Sequence, residues 1–125
     1  GRCMADTLSE VLFLKDSLEM VDSDRGFILD KCLSCDEQHI LITHGTDTMA
    51  QTAKFLAEKI KDKTVVLFGS MIPYSVDNSD ALFNLGVALS AVQLKKPGVY
   101  IAMNGRVFDF DQVKKDKSLG IFIDA

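Results

Sequence analysis

Proline is scarce in this chain, 2 in 125 residues. Together with 47% hydrophobic and 26% charged residues, that scarcity excludes disordered, collagen-like and repeat architectures. Long apolar runs are missing too. Those at residues 64–68 and 99–103 are about five residues long, against the roughly 18 needed to cross a bilayer, so no membrane partner is expected. No basic region followed by an apolar stretch opens the chain, and nothing visible directs secretion. The 14 basic residues are outnumbered by 18 acidic ones, for a net charge of -4. No basic cluster is dense enough to follow a phosphate backbone, which excludes nucleic acid as the default partner. The 3 cysteines are too few and odd in number for a disulfide framework, and fit a reducing compartment, so the chain reads as cytoplasmic. Neither G-x-G-x-x-G nor a Walker phosphate loop is present, and nucleotide binding has no support.

What remains is a chain of one-domain size with alternating strand and helix signals. The apolar run 11–14 fits a short strand or, with Leu8, Val11 and Leu12 on one face, a helix. Asp22, Ser23 and Asp24 offer an N-cap to a helix in which Ile28 and Cys32, and Leu29 and Leu33, sit one turn apart. Residues 34–38 read as a loop. Residues 40–42 are an uninterrupted apolar run bounded by polar residues, as in a strand covered on both faces. A polar turn then leads into the clearest amphipathic helix, 48–61, with Met49, Ala53, Leu56, Ala57 and Ile60 at helical spacing. The unit recurs as a strand at 65–68, a polar loop at 69–79 and a helix whose Leu82, Leu85, Leu89 and Val92 line one face. A strand at 99–103, a polar connection at 104–118 and a short strand at 121–123 complete the chain.

Strands alternating with helices specify an α/β fold, an open parallel sheet with helices on both faces. Ligands of such sheets bind where loops leave the carboxyl ends of strands. That selects the loops 44–47, 69–79 and 104–117. In the first, Thr46, Asp47 and Thr48 stand at a helix amino terminus, where free N–H groups and the dipole favour a bound carboxylate or oxyanion. The simpler reading is that Thr46 or Asp47 only caps the helix, worth about 1 kcal/mol. Gly45 permits a close approach of main chain to ligand. Lys114, Lys115 and Lys117 lie in the third loop. If one folds inward beside Thr46, desolvation favours its neutral amine, which could take a hydroxyl proton. In the second loop, Ser75, Asp77, Asn78, Ser79 and Asp80 read as ordinary turn and capping residues.

Cys32-Leu33-Ser34-Cys35 has C-x-x-C spacing. A redox thiol belongs at a helix amino terminus, whereas Cys32 ends one, and structural zinc would need two more ligands from Cys3, His39 and His44. Cys32 is therefore read as a core residue, and no metal site is assigned.

The segment Thr43-His44-Gly45-Thr46-Asp47-Thr48-Met49 resembles the second signature of the bacterial-type L-asparaginase family. Asp16-Ser17-Leu18-Glu19-Met20 is similar to that family's substrate-binding turn. Val65-Val66-Leu67-Phe68-Gly69-Ser70-Met71-Ile72-Pro73 resembles a strand and its loop, and Ser79-Asp80-Ala81 through Asn84-Leu85 the helix after it. Met103-Asn104-Gly105-Arg106-Val107-Phe108 with Val113-Lys114-Lys115 resembles the segment carrying the catalytic lysine.

The resemblance implies an asparaginase N-terminal-type domain over 1–125, of flavodoxin-like three-layer architecture and incomplete at its amino end. The family's first signature, Thr-Gly-Gly-Thr-Ile, with its acyl-forming threonine, does not occur in these residues, and neither does the smaller carboxyl-terminal domain. By resemblance the catalytic residues are Thr46, which helps activate the nucleophile or water, Lys115, its proton acceptor, and Asp47, which holds the substrate α-amino group. Asp16 and Ser17 belong to the substrate-binding turn, Ser17 receiving the α-carboxylate. Gly45 and Ser70 offer backbone groups to the substrate, Ser70 toward the carboxamide. The implied activity is hydrolysis of the side-chain amide of L-asparagine or a related amide through a threonine-dependent acyl-enzyme, with no metal and no cofactor, in a homo-oligomer. The alternative is a binding module that keeps the pocket and senses asparagine or aspartate without turnover.

Overall fold

The computed structural model describes residues 3–12 and 14–125. Its centre is a four-stranded sheet in the order β1-β2-β3-β4. The strands β1 (His39–Thr43), β2 (Thr64–Phe68) and β3 (Gly98–Met103) run parallel. Each parallel connection carries a helix: α2 (Met49–Ala57) joins β1 to β2, and α3 (Ala81–Leu94) joins β2 to β3. The helix α1 (Asp22–Ser34) precedes β1 and packs beside α2.

Side-chain parity along the buried strands divides the core in two. Val65, Leu67, Val99, Ile101 and Met103 face Met49, Ala53 and Leu56 of α2, with Ile28 and Cys32 of α1 completing that layer. Val66, Phe68, Tyr100 and Ala102 face the opposite way, onto Ala88, Ala91 and Val92 of α3. The expected α/β sheet with helices on both faces is thus the observed fold, but the sheet is mixed: β4 (Arg106–Asp109) pairs antiparallel with β3.

The stretch 104–118 is not the expected connection. It holds β4 and then β5 (Val113–Asp116), which pairs antiparallel with β6 (Ile121–Asp124) in a separate two-stranded sheet. Asn104 and Gly105, with φ of 56° and 74°, form the two-residue turn between β3 and β4. Asn-Gly favours that turn because both positions need positive φ. Charge hid these strands, since Val-Lys-Lys-Asp shows no apolar alternation.

Other boundaries shifted for identifiable reasons. The helix expected to run to residue 61 ends at Ala57, where Lys59 and Ile60 both donate N–H to the Leu56 carbonyl and Lys61 Nζ caps the Ala57 carbonyl at 2.7 Å. That tight turn drives Ile60 into the core. The N-cap of α1 is Val21, and Asp24 reaches back to accept its N–H at 3.0 Å. The inward face of α3 differs from the expected one, of which Val92 is buried. Leu82 and Leu85 point outward, and the buried stripe is Asn84, Ala88, Ala91 and Val92, whose small side chains let the helix lie close to Phe68 and Tyr100. Residues 11, 12 and 14 take no regular secondary structure, and Phe13 lies outside the described residues.

Candidate active site

The carboxyl ends of β1 and β2 are locked together where His44 donates its N–H to the Phe68 carbonyl at 2.9 Å. The chain then turns through Gly45, Thr46 and Asp47 into α2, whose N-cap is Thr48. Neither Thr46 nor Asp47 caps this helix. Ser17, buried on a single 3-10 turn (Ser17–Glu19), supplies the cap from outside: its Oγ accepts the N–H groups of Asp47 at 3.1 Å and Thr48 at 3.3 Å. Thr48 Oγ1 donates in return to the Ser17 carbonyl at 2.8 Å. With its oxygen taken by two N–H donors, the Ser17 hydroxyl keeps its own hydrogen to donate. A Cβ on Gly45 would lie 2.9 Å from Ser17 Cβ and Oγ, so the two segments meet only because residue 45 has no side chain.

Freed from capping, Thr46 and Asp47 turn to Lys115. Lys115 Nζ lies 2.8 Å from Thr46 Oγ1 and 2.7 Å from Asp47 Oδ1. Its side chain is 13% exposed, whereas Lys114 and Lys117 are exposed. Strand parity makes the selection, because Lys115 shares a face of β5 with buried Val113. The hairpin is pinned at both ends. Asp116 Oδ1 accepts from Ser118 and Leu119 in its loop, and Asn104 Oδ1 accepts the Phe122 N–H at 2.7 Å. The Lys115 hydrogen bond holds the Asp47 carboxyl below its ordinary 3.8, against the opposing effect of desolvation.

Two other expected substrate residues lie apart from this set. The Asp16 carboxylate is exposed and accepts the Leu18 N–H at 3.1 Å, capping its own turn. Ser70 is half-buried just past β2, on the same carboxyl edge as Gly45.

Residues overlooked in the sequence lie beneath the loop. His44 is buried, with Nδ1 at 2.6 Å from the Gly45 carbonyl and Nε2 at 2.8 Å from Thr52 Oγ1. A carbonyl can only accept, so Nδ1 carries the hydrogen and Nε2 accepts from Thr52, whose oxygen accepts Arg25 Nε–H at 2.8 Å. Burial, foremost, lowers the His44 pKa and keeps the ring neutral. A hydroxyl at Thr52, on the apolar stripe with Met49, Ala53 and Leu56, was the signal for this chain of bonds. Cys32 sits in the core, as read, with burial pushing its thiol up to about 11. Among the described residues no three metal-binding side chains cluster, and no helix is long and apolar enough to cross a membrane.

A hydroxyl, an ammonium and a carboxylate are thus gathered at a helix amino terminus on the carboxyl edge of an open α/β sheet, the edge where sheets of the doubly wound class bind small molecules. The chain belongs to the asparaginase family, residues 2–121 matching the model of its amino-terminal domain. It is 43% identical over 84 residues to the L-asparaginase of Thermococcus kodakarensis, a match covering 66% of this chain and 26% of that protein. It is 44% identical over 80 residues to the glutaminase-asparaginase of Acinetobacter glutaminasificans, covering 61% and 24% respectively. The crystal structure of the probable cytoplasmic L-asparaginase from Campylobacter jejuni resembles it with a TM-score of 0.86 at 35% identity, covering 94% of this chain and 42% of that one. The chain spans about a quarter of the length of the curated relatives it matches.

Proposed function

We propose that this chain is a single amino-terminal-type domain, 1–125, of an amidohydrolase that converts the side-chain amide of L-asparagine, or a close relative, to the acid and ammonia. The observation that carries the reading is the contact of Lys115 Nζ with both Thr46 Oγ1 and Asp47 Oδ1. The names of the relatives, L-asparaginase and glutaminase-asparaginase, support the same amide class. The difference of one methylene between the two substrates is worth only about 1–3 kcal/mol in a pocket.

In this reading Asp47 stabilises the ammonium form of Lys115 until the substrate α-ammonium competes for the carboxylate. As that partner is lost, Lys115 gives a proton to solvent and its amine acts as the base. Neutral Lys115 takes the Thr46 hydroxyl proton, and Thr46 Oγ draws a proton from the nucleophile, a threonine hydroxyl in acyl transfer or a water in hydrolysis. The nucleophile bonds to the amide carbon, the C–N bond breaks, and nitrogen leaves as ammonia with a proton returned by the lysine. Water then cleaves the acyl intermediate by the same relay. The Ser17 hydroxyl and the amino end of α2 receive the α-carboxylate, and backbone groups of Gly45 and Ser70 face the substrate. Asp16 acts by shaping the turn that presents Ser17.

Thr46→Val preserves shape and removes the hydroxyl. Ammonia release should fall by roughly 10² to 10⁴-fold, the range of one acid–base group, with the melting temperature nearly unchanged. Equal activity in both proteins would refute the role of Thr46. Calorimetric binding of asparagine or aspartate without ammonia release in the wild type would instead establish a sensing module. The reading includes a cytoplasmic protein, supported by free thiols at Cys3, Cys32 and Cys35 and by the Campylobacter neighbour's description. It also includes a homo-oligomer, dimer or tetramer, supported by the apolar residues that α3 leaves exposed.

A further inference from the structure

The loop leaving β2 is held by three side chains from the start of α3. Asn84 Nδ2 donates to the Gly69 carbonyl and to Asp80 Oδ2, both at 2.9 Å. Asp80 Oδ2 accepts the Met71 N–H and Oδ1 the Ile72 N–H, each at 3.0 Å. Ser79 Oγ donates to the Ile72 carbonyl at 2.6 Å. The Gly69 carbonyl belongs to the peptide before Ser70, and the Met71 N–H to the peptide after it. Peptides are planar and trans, so fixing those two groups also fixes the Ser70 N–H and the Ser70 C=O, each on the side opposite its anchored partner. Among the described residues those two groups have no partner. The groups on either side of the two Ser70 peptide groups are tied down, and Ser70 keeps a donor and an acceptor to offer.

This arrangement gives up local stability. Asp80 is the N-cap of α3, yet its side chain caps none of that helix's N–H groups, and Ser79 Oγ accepts the Ala81 N–H instead. Asn84 is 1% exposed and its Oδ1 has no partner. Both neighbours of its Nδ2 are acceptors, so the amide cannot be flipped to satisfy that oxygen. An apolar residue would serve the packing of α3 better than this asparagine. Burial opposes ionisation of Asp80, but the N–H groups of Ile72 and Met71 and the Asn84 amide outweigh it and hold its pKa below 3.8, so the clamp is charged at neutral pH.

We propose that Asp80 and Asn84 are positioning residues that aim the Ser70 carbonyl at the amide nitrogen of the substrate. They thereby set the preference of the site for an amide over an ester, which has no N–H to donate there. The inference rests on the amidohydrolase reading above.

The test compares kcat/KM for L-asparagine and for the β-methyl ester of aspartate, in the protein as it occurs, between wild type and Asn84→Leu. Asn84→Ala serves as a second variant should the leucine overfill its site. L-glutamine and its γ-methyl ester replace the pair if glutamine is the better amide. In a folded variant the amide value should fall about tenfold or more while the ester value stays within about twofold, as for loss of one well-aimed hydrogen bond. Equal losses on both substrates, or no change in either, in an active enzyme would overturn this inference alone. A wild type that releases neither ammonia nor methanol would sink the amidohydrolase reading and this inference with it.

Discussion

Asp47 presents two groups in two directions: its N–H goes to Ser17 and its carboxylate to Lys115. The carboxylate binds a proton less readily in the folded chain than the ordinary 3.8 of the unfolded one, chiefly because Lys115 donates to it. The stabilisation is therefore fully present above about pH 4 and is lost as pH falls through the lower folded value, because the unfolded chain protonates first. Asp47→Asn should narrow its stability gap to wild type as the pH of a urea titration is lowered from 7 toward 3. A gap independent of pH would show that the ion pair contributes nothing. Thr46 and Asp47 were legible as a candidate pair because a helix amino terminus needs one capping residue and the loop holds several. Their partner was open among Lys114, Lys115 and Lys117 until the family resemblance pointed to Lys115. The alternation of a strand that the sequence pattern concealed explains why Lys115 is the one turned inward.

Helices and strands met their sequence signatures where the apolar pattern was strong, as in β2 and β3, and departed from them where tertiary partners replaced local ones. The end of α1 is an example. Lys63, buried, sends Nζ to the carbonyls of Cys32 at 2.7 Å and Cys35 at 2.6 Å, capping a helix 28 or more positions away. Nothing near Cys35 announces this cap. Lys63→Met should lower the free energy of unfolding by about 2 kcal/mol, since two buried carbonyls lose an ionised donor. The urea midpoint measures it, and an unchanged midpoint would mean that water satisfies those carbonyls. The start of α2 follows the same logic, the N–H groups of Asp47 and of the N-cap Thr48 being met by Ser17 from about thirty positions upstream.

Across the whole molecule, α3 packs on the sheet with its alanines and leaves Leu82, Phe83 and Leu94 outside, Leu94 being 84% exposed. The periodicity correctly showed an apolar helix. It could not say which face turns inward, because α3 is apolar nearly all round and the choice depends on Phe68 and Tyr100 across the interface. If these outward residues meet a second copy, as the homo-oligomer reading holds, Leu94→Glu should shift sedimentation toward a smaller species with the melting temperature of the protomer retained. Unchanged sedimentation would move the contact elsewhere.

The α/β class, the order of its main elements and the motif around Thr46 follow from local pattern alone, since apolar period, capping and turn preferences act between near neighbours in the chain. The meeting of Lys115 with Thr46, 69 positions away, the Ser17 cap and the pinned Ser70 peptide were decided by tertiary structure. Each is a polar contact whose partner is set by how the hairpin, the 3-10 turn and α3 pack against the sheet, and no local rule carries that information.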